Sequence, residues 1–169
     1  MKIIIRLFII VFLLFAFVGC VNSKLPEQMP EDFSFSIYWG FDGEYDSSTK
    51  VLSNGFNYDL NIECKTELEL SKEQLKEVYE IIKIAKIDTF NEVIKTKYEI
   101  AIPSSDLKII ISYGNEKYTV TLLHSYLNDD MDKYLNGKQV GKAIKQIVEN
   151  YIISSDEFKS LPENQLSYD

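Results

Sequence analysis

Apolar and polar residues alternate most regularly between residues 59 and 70 of the sequence. A period of two places successive side chains on opposite faces of a β-strand. The pattern therefore predicts a half-buried strand in an antiparallel sheet that exposes one face to solvent. The predicted buried set is Leu60, Ile62, Cys64, Thr66, Leu68 and Leu70.

A helix is predicted directly after this strand. Ser71 and Gln74 have the spacing of a capping box, and Leu70 and Leu75 have the spacing of a hydrophobic staple. Two apolar stripes then recur at helical spacing and predict two amphipathic helices. The first stripe is Leu75, Val78, Tyr79, Ile82 and Ala85, and the second is Val140, Ile144, Ile147, Val148 and Tyr151.

Shorter alternating runs predict the rest of the sheet. Residues 33–39 read as an aromatic-rich strand, and residues 107–113 and 118–122 read as a hairpin that turns at Gly114. The predicted fold class is therefore α+β, with a mainly antiparallel sheet and two main helices packed on one face. We expect a single domain over 33–153, followed by a polar, loosely held tail over 154–169.

The N-terminus has the layout of a secretory signal peptide, with Lys2 and Arg6 in a short basic start, an apolar run from Leu7 to Val18 and the small residue Gly19 after it. The residues Phe17-Val18-Gly19-Cys20 resemble the lipobox of bacterial lipoproteins, with Phe17 in place of the usual Leu. The resemblance implies that residues 1–19 are removed and that Cys20 receives a diacylglyceryl group, often with a further acyl chain on its amine. Two or more acyl chains hold a protein stably on a membrane.

The resemblance implies anchoring at the outer face of the cytoplasmic membrane. Val21 and Asn22 follow the cysteine, so an outer-membrane destination stays open for a bacterium with two membranes. Residues 20–32 are polar and contain Pro26 and Pro30. We expect a lipidated cysteine and a flexible tether that reaches about 40 Å when extended.

The net charge of the chain limits the classes of molecule that it is expected to bind. Loss of Lys2 and Arg6 takes the formal net charge from −8 to −10 and leaves 150 residues without any arginine. An acidic chain without arginine argues against nucleic-acid binding, which depends on neutralising phosphates. Gly137 and Gly141 are isolated, so no phosphate-binding fingerprint is present and no cofactor is predicted.

The thiol and the imidazole of the mature chain suggest one catalytic alternative. Cys64 and His124 are the only nucleophile and base of that type, which leaves a small extracytoplasmic hydrolase or thiol enzyme as an alternative. Cys64 lies on the apolar side of its predicted strand, which predicts a small buried side chain instead. A non-enzymatic domain is the favoured interpretation.

Acidic residues suggest a second alternative. The spacing Asp42-x-Glu44-x-Asp46 is similar to the start of a calcium loop, but Ser47 and Ser53 occupy the positions that need Gly and Glu. A solvated turn is favoured over a calcium- or glycan-binding module.

Aromatic residues are crowded around the first two predicted strands. Core packing accounts for most of them, but four beside the turn are candidates for an exposed patch that binds a protein or glycan partner. These are Tyr38, Trp39, Phe41 and Tyr45. The sequence therefore predicts a membrane-anchored extracytoplasmic lipoprotein that binds a partner.

Overall fold

The strands form one sheet in the computed structural model, which describes residues 23–40, 42–90, 93–94, 106–123, 131 and 137–163. Their order across the sheet is β4-β3-β2-β1-β6-β7-β5. Neighbouring strands are antiparallel except for β5, which pairs parallel to β7. The strands are β1 (Ser34–Trp39), β2 (Gly43–Asp46), β3 (Val51–Asn57), β4 (Ile62–Glu67), β5 (Val93–Ile94), β6 (Leu107–Tyr113) and β7 (Glu116–Leu122).

Helices follow the strands in two places. The first is α1 (Lys72–Ile84), which leads into a 3₁₀ turn over Ile87–Thr89. The second is α2 (Lys138–Ile147), which continues as a π-helical segment over Val148–Ile153 and is followed by the short α3 (Asp156–Lys159). The predicted α+β class, with a mainly antiparallel sheet and two main helices, is confirmed.

The capping box predicted for α1 is also confirmed. The Ser71 hydroxyl accepts from the backbone N–H of Gln74 at 3.2 Å, and the Gln74 side chain accepts from the backbone N–H of Ser71 at 2.8 Å. These two bonds satisfy N–H groups that have no partner within the helix. Val78, Tyr79 and Ile82 of the predicted stripe are fully buried.

The core lies between one face of the sheet and the helices. In β1 the buried side chains alternate with half-buried ones, and β6 and β7 follow the same pattern. The buried sets of these strands belong to one hydrophobic cluster with the inward faces of α1 and α2. The alternate side chains therefore point to the other face of the sheet, which we call the outer face.

The predicted strand over 60–70 needs a correction. The strand β4 begins at Ile62, and Leu60 lies in the preceding turn with 60% of its surface exposed. Ile62 is also exposed, at 42%, although it lies on the same side of β4 as Cys64. Cys64, Leu68 and Leu70 are buried as the alternation predicts.

The flexible tether expected over 20–32 is wrong for its described part, residues 23–32. Leu25 is buried in the core, and the Tyr79 hydroxyl donates to the carbonyl of Pro26 at 2.6 Å. The Lys83 ammonium donates to the carbonyl of Glu27 at 2.9 Å. Side chains of α1 thus satisfy backbone groups of a segment that forms no helix or strand. We call residues 23–32 the docked segment.

The polar tail expected from residue 154 is also folded in its described part. The Ser155 hydroxyl caps α3, and Phe158 and Leu161 pack against the core. The carbonyl of Glu163 accepts from the Asn57 side chain at 2.8 Å. This bond satisfies a buried amide, so the chain remains part of the domain up to residue 163.

A substitution at Asp88 tests how strongly the docked segment is held. Asp88 is 1% exposed and accepts from the Ser23 hydroxyl at 2.8 Å and from the backbone N–H of Lys24. In Asp88→Ala that N–H loses its partner, which should cost roughly 1–3 kcal/mol of unfolding free energy. Urea unfolding measures this cost, and trypsin should cleave faster after Lys24.

The matched control is Asp156→Ala, because that aspartate side chain is fully exposed. It should leave both the unfolding free energy and the cleavage rate nearly unchanged. Equal behaviour of the two variants would show that the docked segment is not held through Asp88.

Candidate functional site

Five strands contribute one row of side chains to the outer face. Lys108 of β6 is paired with Tyr38 of β1, and Tyr38 is paired with Glu44 of β2. Glu44 is paired in turn with Ser53 of β3, and Ser53 with Lys65 of β4. Residues that are directly paired across strands share a face of the sheet. The row therefore crosses the outer face and joins positions that lie far apart in the sequence.

A cavity of about 490 Å³ lies over this row. Its aromatic and acidic walls come from β1 to β4 and from the β1–β2 turn. Lys65 is the basic residue among its lining side chains. We call this cavity the sheet-face groove and define it by Tyr38, Asp42, Glu44, Phe56, Tyr58 and Glu63.

Tyr38 has a charged partner on each side. The Lys108 ammonium lies 3.9 Å from the centre of the Tyr38 ring, within the range of a cation–π interaction. Partial burial raises the pKa of Tyr38, and the charge of Glu44, its hydrogen bond with the tyrosine and the charge of Asp46 raise it further. The Tyr38 hydroxyl therefore stays protonated and donates to the Glu44 carboxylate.

Two aromatic side chains of the β3–β4 hairpin, Phe56 and Tyr58, line the groove. The rings of Phe56 and Tyr58 are 5.0 Å apart in an edge-to-face arrangement. Tyr58, Leu60 and Ile62 are among the large hydrophobic side chains that solvent reaches most, at 59%, 60% and 42% exposure. We call these three residues the hairpin tip. Tyr58 lines the groove, whereas Ile62 shares the core-facing side of β4 with Cys64. An exposed aromatic ring among carboxylates is a surface suited to binding another molecule.

The predicted aromatic patch needs a correction. Tyr38 is at the surface, but Trp39 is 6% exposed and Tyr45 is 1% exposed. The Tyr45 hydroxyl donates to the carbonyl of Leu68 at 3.1 Å, and the Trp39 indole fills the space that a Cβ on Gly43 would need. Both belong to the core because they alternate with Tyr38 and Glu44, which occupy the outer face. Phe41 lies outside the described residues.

Phe56 and Tyr58 supply the aromatic surface instead. They fall within the crowded aromatic region of the sequence, but strand alternation alone does not assign them to the outer face. The register shift in β3 decides the position of Phe56, because it places two residues of β3 between Ser53 and Phe56 opposite a single residue of β4, and one extra residue moves the following side chain to the other face.

The acidic candidates divide between two roles. Asp42 and Glu44 line the groove. The Asp46 carboxylate accepts from the Ser36 hydroxyl at 2.7 Å, from the Ser48 hydroxyl at 2.6 Å and from two backbone N–H groups of the following turn. Asp46 therefore stabilises the β2–β3 turn that follows it. The solvated turn favoured for Asp42, Glu44 and Asp46 needs a correction, because Gly43–Asp46 forms strand β2. Within the described ranges no group of three histidine, cysteine or carboxylate side chains could hold a metal ion.

The thiol alternative receives no geometric support from Cys64. Its side chain is fully buried, and burial raises the pKa of the Cys64 thiol. A nucleophilic thiol needs the opposite, an exposed site and a lowered pKa. His124 lies outside the described residues, as does Cys20.

Comparisons with known protein families and with curated proteins found no match to this chain. None of the helices in the described part of the chain has the length and apolar character that crossing a bilayer requires. The site must therefore be interpreted from its own chemistry.

Substitution of Asp46 tests its role in the turn. Partial burial alone would raise the pKa of Asp46, but the hydrogen bonds from Ser48, Ser36 and Thr49 outweigh it and hold the pKa below the ordinary value of 3.8. A lowered pKa means that the ionised carboxylate stabilises the fold above the unfolded pKa. We expect Asp46→Asn to cost roughly 1 kcal/mol at pH 7.

The difference between wild type and Asp46→Asn should shrink as the pH falls through the lowered pKa, because the wild-type carboxylate is then protonated. Urea unfolding at pH 7 and at successive values down to pH 2 measures this. Asp42→Asn removes the same charge at the start of β2 and serves as the control. A difference that stays constant across this range would contradict the role assigned to the carboxylate.

Proposed function

We propose that this chain is a non-enzymatic bacterial lipoprotein, anchored through Cys20, whose domain binds a protein partner in the sheet-face groove. The anchor rests on the resemblance of Phe17-Val18-Gly19-Cys20 to a lipobox. The location that follows is the outer face of the cytoplasmic membrane. The binding function rests on one observation, the exposed Tyr58 ring among the carboxylates of the groove.

The chemistry of the groove defines the partner. Asp42, Glu44 and Glu63 place three carboxylates against one ammonium, that of Lys65, so the lining has an excess of negative charge. Glu63 is only loosely paired with Lys65, at 3.8 Å between charged atoms, and its side chain is 71% exposed. A partner that presents lysine or arginine side chains next to apolar ones complements this surface.

The core-facing side of the same strands explains why the groove keeps its shape. Beneath the groove, Ile37, Trp39 and Tyr45 are buried in the core. Their packing fixes the strands that carry Tyr38 and Glu44. A site on rigid strands pays less conformational entropy on binding than a site on a mobile loop.

Membrane anchoring is tested with the full chain produced in a bacterium. Wild-type protein should fractionate with membranes, and its mass should show cleavage before Cys20 and a lipid on that cysteine. Cys20→Ser should remove the lipid and move most of the protein out of the detergent-soluble membrane fraction. An unmodified Cys20 or an intact Met1 terminus in the wild-type protein would refute the anchor.

The groove is tested by photocrosslinking in the cells that produce the protein. A photoreactive amino acid replaces Tyr58 in the groove, and the matched control replaces Glu73, an exposed residue in the first turn of α1. The Tyr58 position should give a discrete protein adduct that the Glu73 position does not give. Adducts whose mass spectra show a crosslinked carbohydrate and no second polypeptide would indicate a glycan and would contradict a protein partner.

The charge of the groove is tested in the same experiment. The pair Glu44→Gln and Glu63→Gln removes two carboxylates while keeping the shape of the side chains, and should reduce the Tyr58 adduct several-fold. Glu73→Gln with Glu157→Gln removes the same charge from helix surfaces and should leave the adduct unchanged. An equal effect of both pairs would show that net charge, not the groove, attracts the partner.

A further inference from the structure

The docked segment brings the anchor close to one end of the domain. Ser23 and Lys24 both bond to Asp88, which lies four residues beyond the end of α1. Cys20 precedes Ser23 by three residues, a span of about 10 Å even when fully extended. A lipid on Cys20 would therefore hold this end of the domain close to the bilayer. We call this surface the anchor end and define it by Ser23, Lys24, Lys83, Ile84 and Lys86.

The anchor end carries an exposed aliphatic side chain. Ile84 is the most exposed large hydrophobic residue among those that the structure describes, at 79%. It is the last residue of α1 and lies outside the buried set formed by Val78, Tyr79 and Ile82. A single exposed isoleucine is common on protein surfaces. Because Ile84 is at the anchor end, its side chain can reach the apolar part of the bilayer.

Several of the residues that define the anchor end are lysines. Lys83 and Lys86 flank Ile84 in the sequence, and Lys24 is at the start of the docked segment. Glu27 pairs with Lys83 at 3.1 Å, and Asp88 is buried beneath Ser23 and Lys24. Glu80 lies one helical turn further from the end. Lysine stems can cover apolar surface while their ammonium groups reach lipid phosphates.

The sheet-face groove lies away from the anchor end. The 3₁₀ turn that contains Asp88 packs against β7, whereas the groove is formed by β1 to β4. The groove is also on the outer face, and α1 packs on the opposite face. A domain seated on its anchor end would therefore leave the groove accessible to a partner.

We propose that the anchor end is a membrane-contact surface that seats against the phospholipid bilayer, with Ile84 at the boundary between the headgroups and the acyl chains. This inference rests on the proposed lipidation of Cys20. The occupant is the bilayer that holds the lipid of the same chain. The short connection between Cys20 and Ser23 restricts the domain to orientations in which the anchor end faces the membrane. Even a weak contact between this end and the bilayer therefore forms readily.

The test uses lipidated full-chain protein in phosphatidylglycerol–phosphatidylcholine vesicles that carry a nitroxide on some headgroups. A fluorophore is attached at Ile84→Cys or Lys24→Cys on the anchor end, and at Glu67→Cys or Glu157→Cys as controls. Glu67 lies on the edge strand β4, and Glu157 lies on α3, which packs near β4. Quenching should be at least threefold stronger at both anchor-end positions than at both controls.

The outcomes separate the two proposals. If the protein floats with the vesicles and carries its lipid, but all four positions are quenched equally, the lipoprotein proposal stands and the seating is overturned. If Cys20 carries no lipid, both proposals are overturned. The four variants should keep the urea midpoint of the wild type, because all four side chains are exposed. The Ile84→Cys variant removes the side chain that is proposed to contact the bilayer. The Lys24→Cys variant keeps Ile84, so it provides a second measurement of quenching at the anchor end with that side chain present.

Discussion

Burial of one face of the sheet is the constraint on which the rest of the structure depends. Phe35, Ile37 and Trp39 point from β1 into the core, and the helices pack over that face. Because side chains alternate along a strand, Tyr38 has to point to the other side. The same geometry forces Glu44 outward between Gly43 and Tyr45. The groove lies on the outer face of the sheet because the helices and the core cover the opposite face.

The buried carboxylate of Asp88 is the second organising feature. A buried charge is costly unless donors surround it, and the donors come from residues 23 and 24. A stretch that the sequence marks as a linker is thereby attached to the end of α1. The attachment shortens the connection between Cys20 and the domain from the twelve residues 21–32 to the two residues Val21 and Asn22. If Cys20 carries the proposed lipid, the docked segment holds the domain at the membrane surface and not at the end of a long tether.

The sequence predicted those features that depend on neighbouring residues. The capping box of Ser71 and Gln74, the stripe of α1 and the hairpin around Gly114 were all readable, because each arises within a few positions of the chain. Prediction from the sequence failed where a contact with a residue far away in the chain determines the structure. Leu25 and Phe158 lie in polar stretches without periodicity, and only the core that receives them shows that these stretches fold. The two-residue strand β5 is too short to show any period.

The sequence by itself determined the α+β class and the burial of Cys64, because strand and helix periods are local properties. It proposed Tyr38 for an aromatic patch and Glu44 for an acidic loop, but it did not predict the groove that both residues line. Only the tertiary structure decided that Trp39 and Tyr45 belong to the core while Phe56 and Tyr58 line the groove. It also joined Lys108 to Tyr38, and Ser23 to Asp88. Cross-strand register and docking bring together residues that are far apart in the chain, and no local pattern encodes those distances.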